Sequence, residues 1–196
     1  MMTLKDIPNL KISPHFTLKE LISSKSEANV IANYEWYRNS KDVQNNLALL
    51  ANEVLEPIRE YIMQHGLQKG LQLSCALRSG THNASLANAS KTSHHPMGLA
   101  ADTVYKNITV KNEVYRALFE KRVKINYDIL AQVIYESNPS GGHWIHIGRK
   151  PVDGSWKRGL EYLYCKNDGK KILCPVKKTQ TTYPWVTNDN IDKILK

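Results

Sequence analysis

Histidine and aspartate crowd into two short stretches, and that crowding most limits what the chain can fold into. The first is Ser93-His94-His95-Pro96-Met97-Gly98-Leu99-Ala100-Ala101-Asp102. The second is Gly141-Gly142-His143-Trp144-Ile145-His146. Four of the seven histidines lie there. A loop histidine, an aspartate on one strand and a histidine on a neighbouring strand can supply three zinc ligands and leave a fourth position for water. A fold that uses them so must bring two distant stretches side by side. On a regular strand Ala100 and Asp102 share a face, and the small Ala100 leaves room beside the carboxylate. Gly98 permits a tight approach of the His95 turn to that strand. Taken singly, His94, His95 and Asp102 also fit a hydrogen-bonded polar turn, and His146 a core histidine.

The rest of the chain reads as helices followed mostly by strands. Phe16-Thr17-Leu18-Lys19-Glu20-Leu21 opens a short helix: Thr17 and Glu20 form a capping box, and Phe16 and Leu21 a hydrophobic staple. Residues 25–40 are polar, with two tyrosines and a tryptophan, and read as an irregular loop. From Lys41 to His65, Val43, Leu47, Leu50, Val54 and Ile58 recur at helical spacing and predict one buried face. Pro57 inside that run predicts a kink or a second segment. Strands are expected at 71–77, 99–104, 128–136 and 144–148, with a polar loop at 81–97 and a helix at 110–123. A hairpin is expected from 160–165 and 171–176 around Asn167-Asp168-Gly169. This order predicts an α+β fold, a small antiparallel sheet packed against helices.

Composition narrows the functional classes. The chain has 196 residues and a formal net charge of +9, which suits an anionic partner such as nucleic acid, a membrane surface or bacterial cell wall. Lysine and arginine are scattered, with no long basic helical stripe and no aromatic RNA-binding motif, so no nucleic-acid partner is expected. No stretch approaches the roughly 20 apolar residues of a membrane span. Residues 1–16 hold no apolar core of signal-peptide length, which leads to an expectation of cytoplasmic synthesis followed by release. Cys75, Cys165 and Cys174 have no framework spacing. A two-residue turn at Asp168-Gly169 would set Cys165 opposite Ile172, so all three are expected as free thiols.

The pattern Ser93-x-His95-x-x-Gly98-x-Ala100-x-Asp102, followed by Trp144-x-His146, resembles the D-Ala-D-Ala-carboxypeptidase-like zinc peptidases of bacteria and their phages. Those share a fold with lysostaphin-type enzymes and the Hedgehog signalling domain. The resemblance extends to Phe16–Leu21, to the long helix with Pro57, to Arg78-Ser79 and to Gln132-Val133-Ile134-Tyr135-Glu136, covering about residues 12–150. It implies a Hedgehog/DD-peptidase-like fold with a single zinc site held by His95, Asp102 and His146. It implies that Arg78 binds a substrate carboxylate or carbonyl, and it leaves Ser93 a hydrogen-bonding place near the ligands. The general base departs from the Glu-x-x-His of some branches of the family: three residues before His146 stands His143, and other branches do use a histidine upstream of the last ligand. A regular strand would carry His143 to the opposite face unless the strand begins after it, and Gly141-Gly142 suit such a bend. Glu136 is the other candidate base. His94 is expected to face solvent.

The resulting expectation is a zinc-dependent peptidase, a monomer, that cuts an amide bond in peptidoglycan stem peptides and acts at the bacterial wall as a phage endolysin or virion-carried hydrolase. Residues 1–150 form the peptidase domain; residues 151–196 form a C-terminal extension with a hairpin that completes it. The bond cut stays open among D-Ala-D-Ala, L-Ala-D-Glu and a cross-bridge. One rival is an inactive zinc-stabilised module that binds cell wall or sits in a phage tail. The other is a basic nucleic-acid-binding protein with coincidental histidines.

Overall fold

The computed structural model describes residues 2–86, 89–90, 92–138, 142–165 and 185–196. Its α-helices are α1 Leu18–Leu21, α2 Glu27–Arg38, α3 Lys41–Leu50, α4 Glu56–Gln64, α5 Gly80–Ser85, α6 Ile108–Phe119 and α7 Ile191–Ile194. Its strands are β1 Gln72–Cys75, β2 Ala100–Val104, β3 Leu130–Ser137, β4 His143–Arg149 and β5 Glu161–Cys165. They form one five-stranded sheet in the order β1-β2-β4-β3-β5, antiparallel except for the parallel β3–β5 pair. The fold is therefore α+β with a mostly antiparallel open sheet.

Alternation along the central strands separates two chemistries. Ala101, Val133, Tyr135, Ile145 and Ile147 face the helices and belong to one apolar core. Val43, Leu47, Leu50, Val54 and Ile58 are all buried in that core, as their spacing predicts. Each such side chain, fully buried, contributes about 1.5–3 kcal/mol. Tyr115 of α6 meets Tyr135 edge-on at 5.3 Å, and its hydroxyl donates to the Leu163 carbonyl at 2.9 Å, tying α6 to β5.

Pro57 acts as the segment break the sequence predicts. Lacking an N–H, it cannot continue the helical ladder, and one π turn, Ala51–Leu55, joins α3 to α4, with Glu56 N–H bonded to Ala51 O. The capping box at Thr17 is present: the Thr17 N–H and hydroxyl both donate to Glu20 at 2.7 Å.

Several expectations change. Residues 25–40 contain the helix α2 rather than an irregular loop. Its buried side chain is Asn33, which donates to Ile22 O at 3.0 Å and accepts from Ser79 N at 2.7 Å. The helix is held by a buried amide and by half-buried Val30, Tyr34 and Tyr37 packed on the core, not by an aliphatic stripe. The loop at 81–97 contains α5, capped by Ser79 Oγ, which accepts from His82 N at 3.1 Å. The run 160–165 forms β5 as a parallel edge strand against β3. The turn at Asn167 and the second hairpin arm at 171–176 lie outside the described residues. Cys165 is disulfide-bonded, whereas Cys75 is a buried free thiol that burial pushes up to about 11. The free-thiol expectation for Cys165 rested on that undescribed turn, and Cys174 also lies outside the described residues. Val186, Ile191, Ile194 and Leu195 join the same core as the earlier helices. No helix among the described residues is long and apolar enough to cross a membrane.

Candidate metal centre

His95 stands on a single 3-10 turn, His95–Met97, that leads into β2. Gly98 ends this turn at φ +70°, and a Cβ there would lie 2.9 Å from the Val43 carbonyl. Glycine is therefore required twice, for the left-handed backbone and for the close approach of α3. From the turn, the His95 ring reaches the polar face of the sheet. Asp102 of β2 and His146 of β4 are direct cross-strand partners, so their side chains emerge side by side on that same face.

Three atoms converge. His146 Nδ1 lies 3.0 Å from Asp102 Oδ1, His95 Nε2 lies 3.3 Å from the same oxygen, and the two ring nitrogens are 3.2 Å apart. Zinc bonds of about 2.0–2.1 Å at tetrahedral angles set ligand atoms about 3.3 Å apart, so the triangle has the size such an ion requires. The donor set fits as well. His95 Nδ1 lies 2.6 Å from the Ala76 carbonyl, which assigns the proton to Nδ1 and leaves Nε2 as a bare lone pair. The set His95, Asp102 and His146 could hold a metal ion.

Neighbouring groups fix these atoms in place. The Arg78 guanidinium pairs with Asp102 Oδ2, which turns Oδ1 toward the histidines. Burial pushes the Asp102 carboxyl up, but the charges and hydrogen bonds of His95 and His146 outweigh it and hold the group well below the usual carboxylate range. Ser93 Oγ accepts from the His95 backbone N–H at 3.3 Å and steadies the turn.

The two candidate bases part company. Glu136 pairs with Trp144, one alternation step from the Ile134–His146 pair, and so shares the face of His146. The Trp144 indole N–H donates to Glu136 Oε2 at 2.7 Å. Burial raises the Glu136 carboxyl to about 7, assisted by the Asp102 charge and opposed by His146, Trp144 and Arg78. From the core side, the buried Lys111 ammonium donates to the Glu136 backbone carbonyl at 2.5 Å and stacks over Tyr135. His143 begins β4 opposite Ser137. Because the strand includes His143, regular alternation directs it to the face away from His146. Gly142 is described, but Gly141, the other half of the bend that would re-aim His143, lies outside the described residues.

His94 does not face solvent. It is buried, its ring meets Trp156 edge-on at 5.1 Å, and its Nδ1 has no hydrogen-bond partner among the described residues. A Cβ on Gly148 would lie 3.2 Å from that nitrogen, so the missing side chain of Gly148 makes the space His94 occupies. Burial, with the charges of His146, His95 and Arg158, lowers the His94 ring to about 4.

Sequence reasoning gave no role to Lys111 or Trp36. Lys111 sits in the apolar rhythm of α6, where a charge among valines is a visible signal. Trp36 donates its indole N–H to Pro96 O at 2.7 Å, beside His95, and the only hint is an aromatic residue in a polar segment. No protein-family model matches the chain, and no curated protein matches it either.

Proposed function

We propose that the protein is a zinc-dependent peptidase that hydrolyses an amide bond in peptidoglycan stem peptides. The observation that carries the reading is the triangle of His95 Nε2, Asp102 Oδ1 and His146 Nδ1, with a carboxylate raised toward neutrality on the same sheet face. When bound by these three residues, zinc supplies a Lewis acid for the scissile carbonyl and acidifies the attacking water. Glu136 takes the water proton at Oε1, since Oε2 is occupied by Trp144, and returns it to the leaving amine. A carboxyl near 7 is ionised often enough to accept that proton and acidic enough to give it back. Arg78 orients Asp102, and its remaining N–H groups suit a peptide carboxylate or carbonyl. The excess of basic residues fits attraction to an anionic wall.

The test is purified wall incubated with wild type, His146→Ala and Glu136→Gln, with mass spectrometry of the released fragments and metal analysis of each protein. Fragments that require both residues support the reading. Equal release from wild type and His146→Ala would sink it. Stoichiometric zinc with no fragments from wild type would make the chain a zinc-stabilised binding module instead.

A further inference from the structure

A concave surface lies beside the His95 turn. It is a groove of about 590 Å3 between α2, the start of α3 and the start of α5, within the roughly 300–1,000 Å3 of small-molecule sites. We propose that this groove is a saccharide subsite that takes an N-acetylhexosamine unit of the wall's glycan strand. The identity of the polymer rests on the peptidase reading; the groove's preference for a neutral sugar does not.

Trp36 forms the wall that matters most. The residue is 43% exposed, yet it is tied down through its indole nitrogen. The indole N–H donates to Pro96 O, and the far edge of the ring lies where a Cβ on Gly80 would be 3.6 Å away. A fixed, exposed indole is an apolar platform presented to solvent. Around it stand Glu35, Asn39 and Thr81, which offer a carboxylate, an amide and a hydroxyl. A pyranose has the matching form, with an apolar C–H face to stack on the ring and hydroxyl and acetamido groups at its rim.

Charge selects among occupants. Among the described lining side chains Glu35 alone is ionisable, and its contact with Arg38, at 3.4 Å on the surface, is a weak one. A carboxylate at the rim repels an anionic peptide or phosphate and accepts hydrogen bonds from a neutral sugar. The anionic part of the substrate is thereby left to Arg78. Position agrees: Ser79, in the groove wall, follows Arg78, and Pro96, which Trp36 holds, follows His95, each one residue or about 3.8 Å along the chain. A wall polymer carries its peptide on an amino sugar, so one substrate reaches both sites.

The probe is the β-1,4-linked tetramer of N-acetylglucosamine, titrated calorimetrically into the full-length protein with and without zinc. Saturable binding is expected in both states, weakened about tenfold by Trp36→Ala through loss of the stacking face. Asn39→Ala, on an exposed residue at the end of α2, is expected to weaken it in the same direction. Trp185→Phe, at the β5 edge, is expected to bind as wild type does. On substrates, Trp36→Ala lowers the ratio of intact-wall to free-peptide turnover. No binding by wild type, or equal binding by wild type, Trp36→Ala and Asn39→Ala, would overturn the subsite. Tetramer binding without cleavage of any peptide leaves the subsite standing and removes the peptidase reading.

Discussion

The two faces of β4 are made from alternating residues of one short segment, yet they obey different rules. Ile145 and Ile147 enter a closed apolar core, where packing alone sets their value. Trp144 and His146 enter a polar face where each side chain is fixed by a named partner: Glu136 for Trp144, and Asp102 and His95 for His146. On the first face volume matters; on the second the identity and direction of single atoms matter. The same alternation sets Glu136 on the face of His146 and His143 on the other.

The comparison breaks most visibly at two adjacent residues. His146→Ala is expected to abolish stoichiometric zinc and to reduce wall cleavage by more than the about 10–100-fold that follows loss of outer partners. Ile145→Ala is expected to cost about 2–5 kcal/mol of stability in urea unfolding while the folded fraction keeps its zinc. If Ile145→Ala lost zinc as fully as His146→Ala, the two faces would not be separable.

Next in size is the pair of candidate bases. Glu136→Gln should lower turnover by about 10²–10⁴-fold with zinc content unchanged. His143→Ala should retain wild-type turnover, and a loss comparable to that of Glu136→Gln would return the base to His143. Arg78→Ala should weaken zinc binding by about 10–100-fold in competition with a chelating dye, because Asp102 loses the partner that aims it.

A separate effect concerns pH. His94 takes its proton near pH 4 in the folded protein, against about 6.5 in an unfolded chain. Its contribution to stability is complete above about 6.5 and is lost as the pH falls through about 4. Urea midpoints of wild type should therefore fall more between pH 7 and pH 4 than those of His94→Gln; parallel falls would remove the buried histidine from the account.

What the sequence made legible was what a regular period encodes. The buried face from Val43 to Ile58, the Thr17–Glu20 cap and the central strands all declare themselves by spacing. So does the approach of His95, Asp102 and His146, since glycine, alanine and alternation leave few other arrangements. Where no period carries the information, reading failed. Helix α2 buries an asparagine instead of a leucine stripe. His94 is enclosed because a strand far along the chain has glycine at 148. The parallel direction of β5 depends on which edge is open, which no residue in Leu160–Cys165 specifies. The choice between Glu136 and His143 turns on where β4 begins, a matter of one or two residues.

The cross-strand pairing of Asp102 with His146 also makes the site a gauge of assembly. If β4 slipped by one residue against β2, Ile145 or Ile147 would stand opposite Asp102, and the histidine would be turned into the core. Such a misaligned chain could retain much of its sheet and still offer an ion only two of its three ligands. Zinc uptake during refolding would then report the fraction of molecules whose strands met in the correct alignment, and an excess of the ion would draw the others toward it.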